Sequence, residues 1–435
     1  MNEIMTAFLL ISTPGLPLLL AIPALRLPLP WSVHIALLPA TVLLFVPGSP
    51  AIKLPWILWG GVGLGIDEAS RWWLAMSVMI WIAAAILLRT HADHSNNNSP
   101  RLTTLILLTL AGQIGAILAT DMASFFTFMT LMGYAFVSLM ILDGDKKVHR
   151  AGQLYLVLLV FADIVLFEAL LIAAASTEIL EFAAVARAIA QSTSPALYLS
   201  MAIIGFTLKA GLWPLHVWLP PTYGSARPAV ALLLWVVPVA TGLLGALRWM
   251  PLGVISAPVP GALLQAIGTA TILYAVLFGL IRVQRKLLPA YVAIVATGGF
   301  VMGLGTGLIY PAVWNQYGSW APVFVALVGI GLAIMIASFV WLEKMGFSSS
   351  VSNNVSGVVL WIERWPKATI IWKRLSGIDY VPKLLAAWIA RWGELWQSHA
   401  WHRAFDVGEY LLQRWAFALT LFLLLGMVSV VLLLP

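Results

Sequence analysis

The chain has 435 residues, of which 61% are hydrophobic and 9% charged, with no cysteine and a formal net charge of +7. Soluble proteins carry about 25% charged residues, so this composition is that of an all-α, polytopic membrane protein. Without cysteine the chain holds neither disulfides nor cysteine-ligated iron–sulfur clusters; no cofactor or metal is expected, and redox chemistry falls to other subunits.

Twelve apolar stretches have spanning length, at about 6–25, 31–48, 70–90, 103–119, 122–142, 153–175, 197–218, 229–249, 262–282, 287–309, 319–342 and 413–434. The first lacks a basic flank and reads as a retained helix rather than a cleaved signal. Between the second and third, Gly60–Gly65 is glycine-rich but is not followed by the lysine and hydroxyl of a phosphate loop; it predicts a turn or short hairpin on the outer face. Basic residues orient the chain. Loops after odd-numbered segments hold Arg26, Arg89, Arg101, Lys146, Lys147, Arg150, Arg227, Arg282, Arg285 and Lys286, against Lys53, Arg71, Arg187 and Arg248 after even-numbered ones. The positive charge is therefore a matter of membrane orientation, not of nucleic acid, and both termini are expected outside the cytoplasm.

Residues 343–412 differ from the rest. Tryptophans at 361, 365, 372, 388, 392, 396 and 401 mix with basic residues, and Trp388, Trp392 and Trp396 share one helical face. These are expected to be amphipathic helices lying along the bilayer, serving either as lipid anchors or as a partner-docking strut.

Three charges fall well inside predicted spans: Asp163, Glu168 and Lys209. A lysine near the bilayer centre costs about 2.5–3.5 kcal/mol on insertion scales and marks a functional site by default, against the alternative of snorkelling or structural pairing. Asp163 and Glu168 are separated by about 140° on one helix, so at most one faces a given neighbour. A buried carboxylate–ammonium pair is the physical basis of a proton relay, and equally of a static ion pair that fixes helix register. His216 follows Lys209 by seven residues, nearly on the same helical face, with Pro214 expected to kink or break the helix between them. It is either a relay towards one surface or an interfacial histidine met by water.

The run Lys209-Ala-Gly-Leu-Trp-Pro-Leu-His-Val-Trp-Leu-Pro220 resembles the seventh-helix signature of the antiporter-like membrane subunits. These are found in respiratory complex I, energy-converting hydrogenases of the formate hydrogenlyase type and multi-subunit sodium/proton antiporters. Gly65-Ile-Asp-Glu-Ala-Ser70, Asp121–Met132 and Thr241–Arg248 are similar to stretches at the family's third, fifth and eighth helices, and Gln284–Tyr291 loosely to the linker before its tenth. The resemblance implies a first five-helix repeat over 96–250, after N-terminal helices at 1–95. It further implies a shortened second repeat over 251–342, the amphipathic segment at 343–412 and a last helix at 413–435.

The resemblance also implies a proton path in which Lys209 is the central lysine. The family's fifth-helix glutamate falls on Thr130 and its eighth-helix lysine on Ala240, so Asp163 is the expected partner of Lys209, with His216, Glu168 and Thr130 as further path candidates. The function implied is a proton- or sodium-translocating subunit among other membrane subunits of a hetero-oligomeric complex in the prokaryotic cytoplasmic membrane. The alternatives are a non-conducting scaffold, or the membrane partner of an inorganic-carbon uptake complex. No nucleotide loop or nucleophile–base set is present in the sequence, so no catalytic chemistry of the chain's own is expected.

Overall fold

In a bilayer every backbone donor and acceptor must be satisfied within the protein, which leaves helices as the spanning elements of this apolar chain. The computed structural model describes residues 3–25, 27–29, 31–57, 61–90, 100–142, 146–192, 195–280 and 287–344. Ten helices among them are long and apolar enough to cross a membrane. The expected amphipathic segment (from residue 345) and the twelfth apolar stretch lie outside the described residues.

The N-terminal part comprises α1 (Glu3–Ala21), α2 (Trp31–Leu43) and α3 (Glu68–Thr90), with a hairpin of β1 (Ala51–Leu54) and β2 (Val62–Gly65) before α3. The second predicted span is shorter than its apolar stretch. The chain leaves α2 at Leu43, and Arg71 of α3 takes the carbonyls of Leu44 and Val46 at 3.0 and 2.7 Å. The hairpin anticipated from the glycine-rich run is antiparallel, pairing Ala51 with Gly65 and Leu54 with Val62. Its inner strand is buried against the start of the fifth helix, where the Gly63 amide donates to Asp121 Oδ2 and Ser124 Oγ, both at 3.0 Å.

Next come α4 (Pro100–Leu118), α5 (Met122–Leu142), α6 (Lys146–Ser176), the short α7 (Phe182–Gln191) and α8 (Pro195–Ala210). They are followed by α9 (Leu219–Ser225), α10 (Pro228–Leu234) and α11 (Ala240–Trp249). α4 packs on α5, and α6 on α8. Between α10 and α11 the turn Trp235–Val239 widens to π geometry around Pro238, which has no amide hydrogen to give. The Val236 carbonyl is met by Gln113 Nε2 at 2.8 Å; Gln113 also binds Ser77 Oγ at 3.0 Å and accepts from Trp81 Nε1 at 2.5 Å.

The last described part is α12 (Pro258–Tyr274), α13 (Leu288–Ile309), α14 (Pro311–Tyr317) and α15 (Trp320–Lys344). α12 and α13 meet along small residues. A Cβ on Gly268 would lie 2.6 Å from the Gly298 carbonyl, and one on Gly305 would lie 2.6 Å from that of Gly261. Such close approach is how helices associate in lipid, where apolar burial gives little driving force.

Candidate functional site: a buried ion pair beside a broken helix

The seventh apolar stretch is interrupted because α8 ends in a Schellman motif. Gly211 takes a left-handed φ of 68°, Leu212 N bonds Thr207 O at 3.1 Å and Gly211 N bonds Leu208 O at 3.3 Å. The break therefore begins at glycine, three residues before Pro214, whose peptide bond with Trp213 is cis. A 3₁₀ turn, Leu215–Trp218, leads into α9. The Trp213 amide donates to Thr271 Oγ1 of α12 at 3.2 Å, and Trp218 stacks on Tyr155 of α6 with ring centroids 4.1 Å apart.

This places Lys209 in the last turn of α8, where the negative end of the helix dipole favours a cation. Its side chain is 3% exposed, and Nζ lies 2.6 Å from Asp163 Oδ1 of α6, itself 10% exposed. The register comes from packing. Leu166, one turn after Asp163, fills the space beside Gly205, one turn before Lys209, so the two helices approach closely at that level. The pairing of Lys209 with Asp163 anticipated from the sequence is thus present. The ammonium makes no further hydrogen bond among the described residues.

The other expected residues are distributed unevenly. Thr130 of α5 is half-buried, and its hydroxyl oxygen is enclosed without a partner among the described residues. One turn on, Tyr134 lies near enough to Asp163 for the two to interact electrostatically, while its ring reaches the outer surface. Tyr134 was not singled out from the sequence; the signal for it was the i+4 spacing from Thr130 on the same helical face.

Glu168 lies on the outer surface of α6 and does not join the pair. His216 is corrected in its placement: because α8 stops at Ala210, it does not share a helical face with Lys209. It is 1% exposed rather than interfacial, its ring packs 4.2 Å from that of Tyr274 on α12, and neither ring nitrogen has a hydrogen-bond partner among the described residues. Ala240 is fully buried, and its carbonyl accepts from Trp73 Nε1 at 2.9 Å.

A second polar cluster joins two stretches that the sequence held far apart. Asp67 caps α3 through the Ser70 amide at 2.6 Å. Arg248, at the end of α11, reaches Asp67 at 3.4 Å and Ser70 Oγ at 2.6 Å. The same guanidinium donates to the Ala119 carbonyl at 2.7 Å and lies 5.3 Å from the centre of the Phe182 ring. Burial raises the Asp67 carboxyl, but the Arg248 charge and the Ser70 hydrogen bonds outweigh it and hold it below the usual carboxylate value.

Comparison with known proteins identifies the family of the chain. The family described as NADH:quinone oxidoreductase/Mrp antiporter, TM, matches residues 119–344. A Na(+)/H(+) antiporter subunit from Alkalihalophilus pseudofirmus is 30% identical, over 45% of this chain and 41% of the relative. Hydrogenase-4 component B from Escherichia coli is 23% identical, over 57% of this chain and 37% of the relative. The chain thus spans well under two thirds of the length of these relatives. Among solved structures, the archaeal membrane-bound sulfane sulfur reductase matches with a TM-score of 0.58 and 23% identity, over 76% of this chain and 56% of that one. The Mrp complex from Dietzia sp. DQ12-45-1b matches with a TM-score of 0.58 and 18% identity, over 77% and 36%. With more than half of its length matched, the chain is a membrane-spanning member of the NADH:quinone oxidoreductase/Mrp antiporter transmembrane family.

Proposed function

We propose that this chain is a proton- or sodium-translocating, antiporter-like subunit of a larger complex in a prokaryotic cytoplasmic membrane. In this reading the Lys209–Asp163 pair is its switching element. The observation that carries the reading is the 2.6 Å ion pair buried next to a helix break. In low dielectric such a pair is held by a narrow balance between desolvation and attraction, so a change in a neighbouring charge or in hydration transfers a proton within it or opens it. The helix end at Ala210 adds a dipole to that balance, and the irregular backbone of 211–218 supplies polar groups that an unbroken helix withholds. Tyr134 lies on the α5 side of the pair, one turn from the enclosed Thr130 hydroxyl, and His216 stands beyond the break towards α12. Residues 96–250 act as the first repeat, and odd-numbered loops face the cytoplasm.

One observation favours the second reading, a non-conducting scaffold. Around Ala240 the interior is filled, and Gln113, Ser77, Trp81 and the Val236 carbonyl satisfy one another. The two readings separate on Asp163→Asn in the assembled complex. Translocation predicts that ion movement falls about tenfold or more with every subunit still present; unchanged ion movement selects the scaffold.

A further inference from the structure

Glu168 has no role in the site above, yet it lies inside a membrane span. It is about eight residues, or about 12 Å, from the C-terminal end of α6. The side chain is exposed, on the same outward stripe as Ile164, Phe167 and Leu171, which are 54%, 47% and 47% exposed. No hydrogen bond or ion pair meets it among the described residues. A carboxylate facing acyl chains is strongly disfavoured, and a glutamate side chain is too short to reach headgroups from that depth. The stripe is therefore a covered surface, and what covers it must bring a cation or a strong hydrogen-bond donor to Glu168.

The chain's own sequence narrows the choice of occupant. The apolar stretch 413–434 carries its one charge, Arg414, at its start and none inside the span. In a second copy, the basic side chains buried in the described spans are Lys209, Arg248 and His216; the first two are already paired with Asp163 and Asp67, and none is more than 7% exposed, so none reaches an outer face. We infer that the Ile164–Phe167–Glu168–Leu171 face of α6 docks a transmembrane helix of a different subunit, one that carries a basic residue opposite Glu168. The inference rests on the reading of the chain as part of a larger complex. It adds the face that is used and the charge of the partner.

The lack of native cysteine makes the test clean. Phe167→Cys, labelled with a benzophenone maleimide in membranes containing the assembled complex, should cross-link on illumination to a peptide from an apolar span of another chain. That span should contain Lys, Arg or His. Cross-links confined to a second copy, to residues 345–435 of this chain or to lipid overturn the inference. Glu168→Lys should lower recovery of that same subunit to about a tenth or less, as like charges across an interface do. Reversing the partner's basic residue to Glu in the Glu168→Lys background should restore it. Undiminished recovery with Glu168→Lys, or no restoration by the reversal, also overturns it. Ion movement that depends on Asp163 while the cross-link fails would remove this docking face and leave the proposed function standing.

Discussion

Leu166 of α6 occupies the space that any side chain on Gly205 of α8 would need, and this interlock sets the level at which Asp163 meets Lys209. Helix spacing and charge pairing are thus one feature. A larger residue at 205 cannot be accommodated by a small rotation, because Leu166 itself is fully buried.

Gly205→Val is expected to push α8 away from α6 and lengthen the ion pair. Overpacking of this kind costs about 1–3 kcal/mol, so thermal unfolding of the purified protein should move to lower temperature. Ion movement should fall with it. Gly133→Ala should be much milder in both, because its Cβ would lie no closer than 3.0 Å to the nearest Leu159 atom.

The pair itself should show strong coupling. Asp163→Asn or Lys209→Met alone leaves an uncompensated partner in the membrane interior, at a cost of about 3–5 kcal/mol. The double substitution removes both charges and should be less destabilised than either single one. Unfolding temperatures of the four proteins in one detergent form the cycle; additive effects would deny the coupling.

Tyr134→Phe keeps the ring and removes the hydroxyl, the polar group through which Tyr134 feels the Asp163 charge. Stability should change little, since the ring is 36% exposed and stays in place. The rate of ion movement should fall several-fold, equivalent to about 1 kcal/mol, because the hydroxyl dipole no longer acts on the Asp163 charge. An unaltered rate would leave Tyr134 as a surface residue.

The Asp67–Arg248 cluster makes a pH prediction. The Asp67 carboxyl is held below its usual value of 3.8, so the stabilisation is complete above that value and disappears as pH falls through the lowered one. Arg248→Gln should therefore lower the unfolding temperature by a constant amount from pH 8 to about 5, with the difference shrinking below about pH 4. The effect is modest, because the Asp67 side chain is 59% exposed and water screens the pair.

Much of this was legible in the sequence, and the parts that were not have physical causes. Charges in apolar segments are rare, so Lys209 and Asp163 stood out, and their pairing followed from the need to neutralise both. The hairpin was readable because glycines clustered where no span could run. The ending of α8 at Gly211 was not, since glycine is common in membrane helices and Pro214 was the stronger breaker by composition. That misplacement carried His216 onto the wrong face. Tyr134 was missed because a tyrosine in an apolar helix carries no charge to mark it, and its importance depends on which helix faces it. The meeting of Asp67 with Arg248 joins positions too distant in sequence for any local pattern to pair them.

The central claim, that Lys209 moves ions rather than merely holding helices together, is tested most directly by reconstituting the purified complex in sealed vesicles. Ion movement is then followed with native Lys209 and with Lys209→Ala, with subunit content checked in the same preparations. The account predicts a complete complex whose ion movement is lost with Lys209→Ala. A complete complex that moves ions at the native rate without the Lys209 ammonium would contradict it.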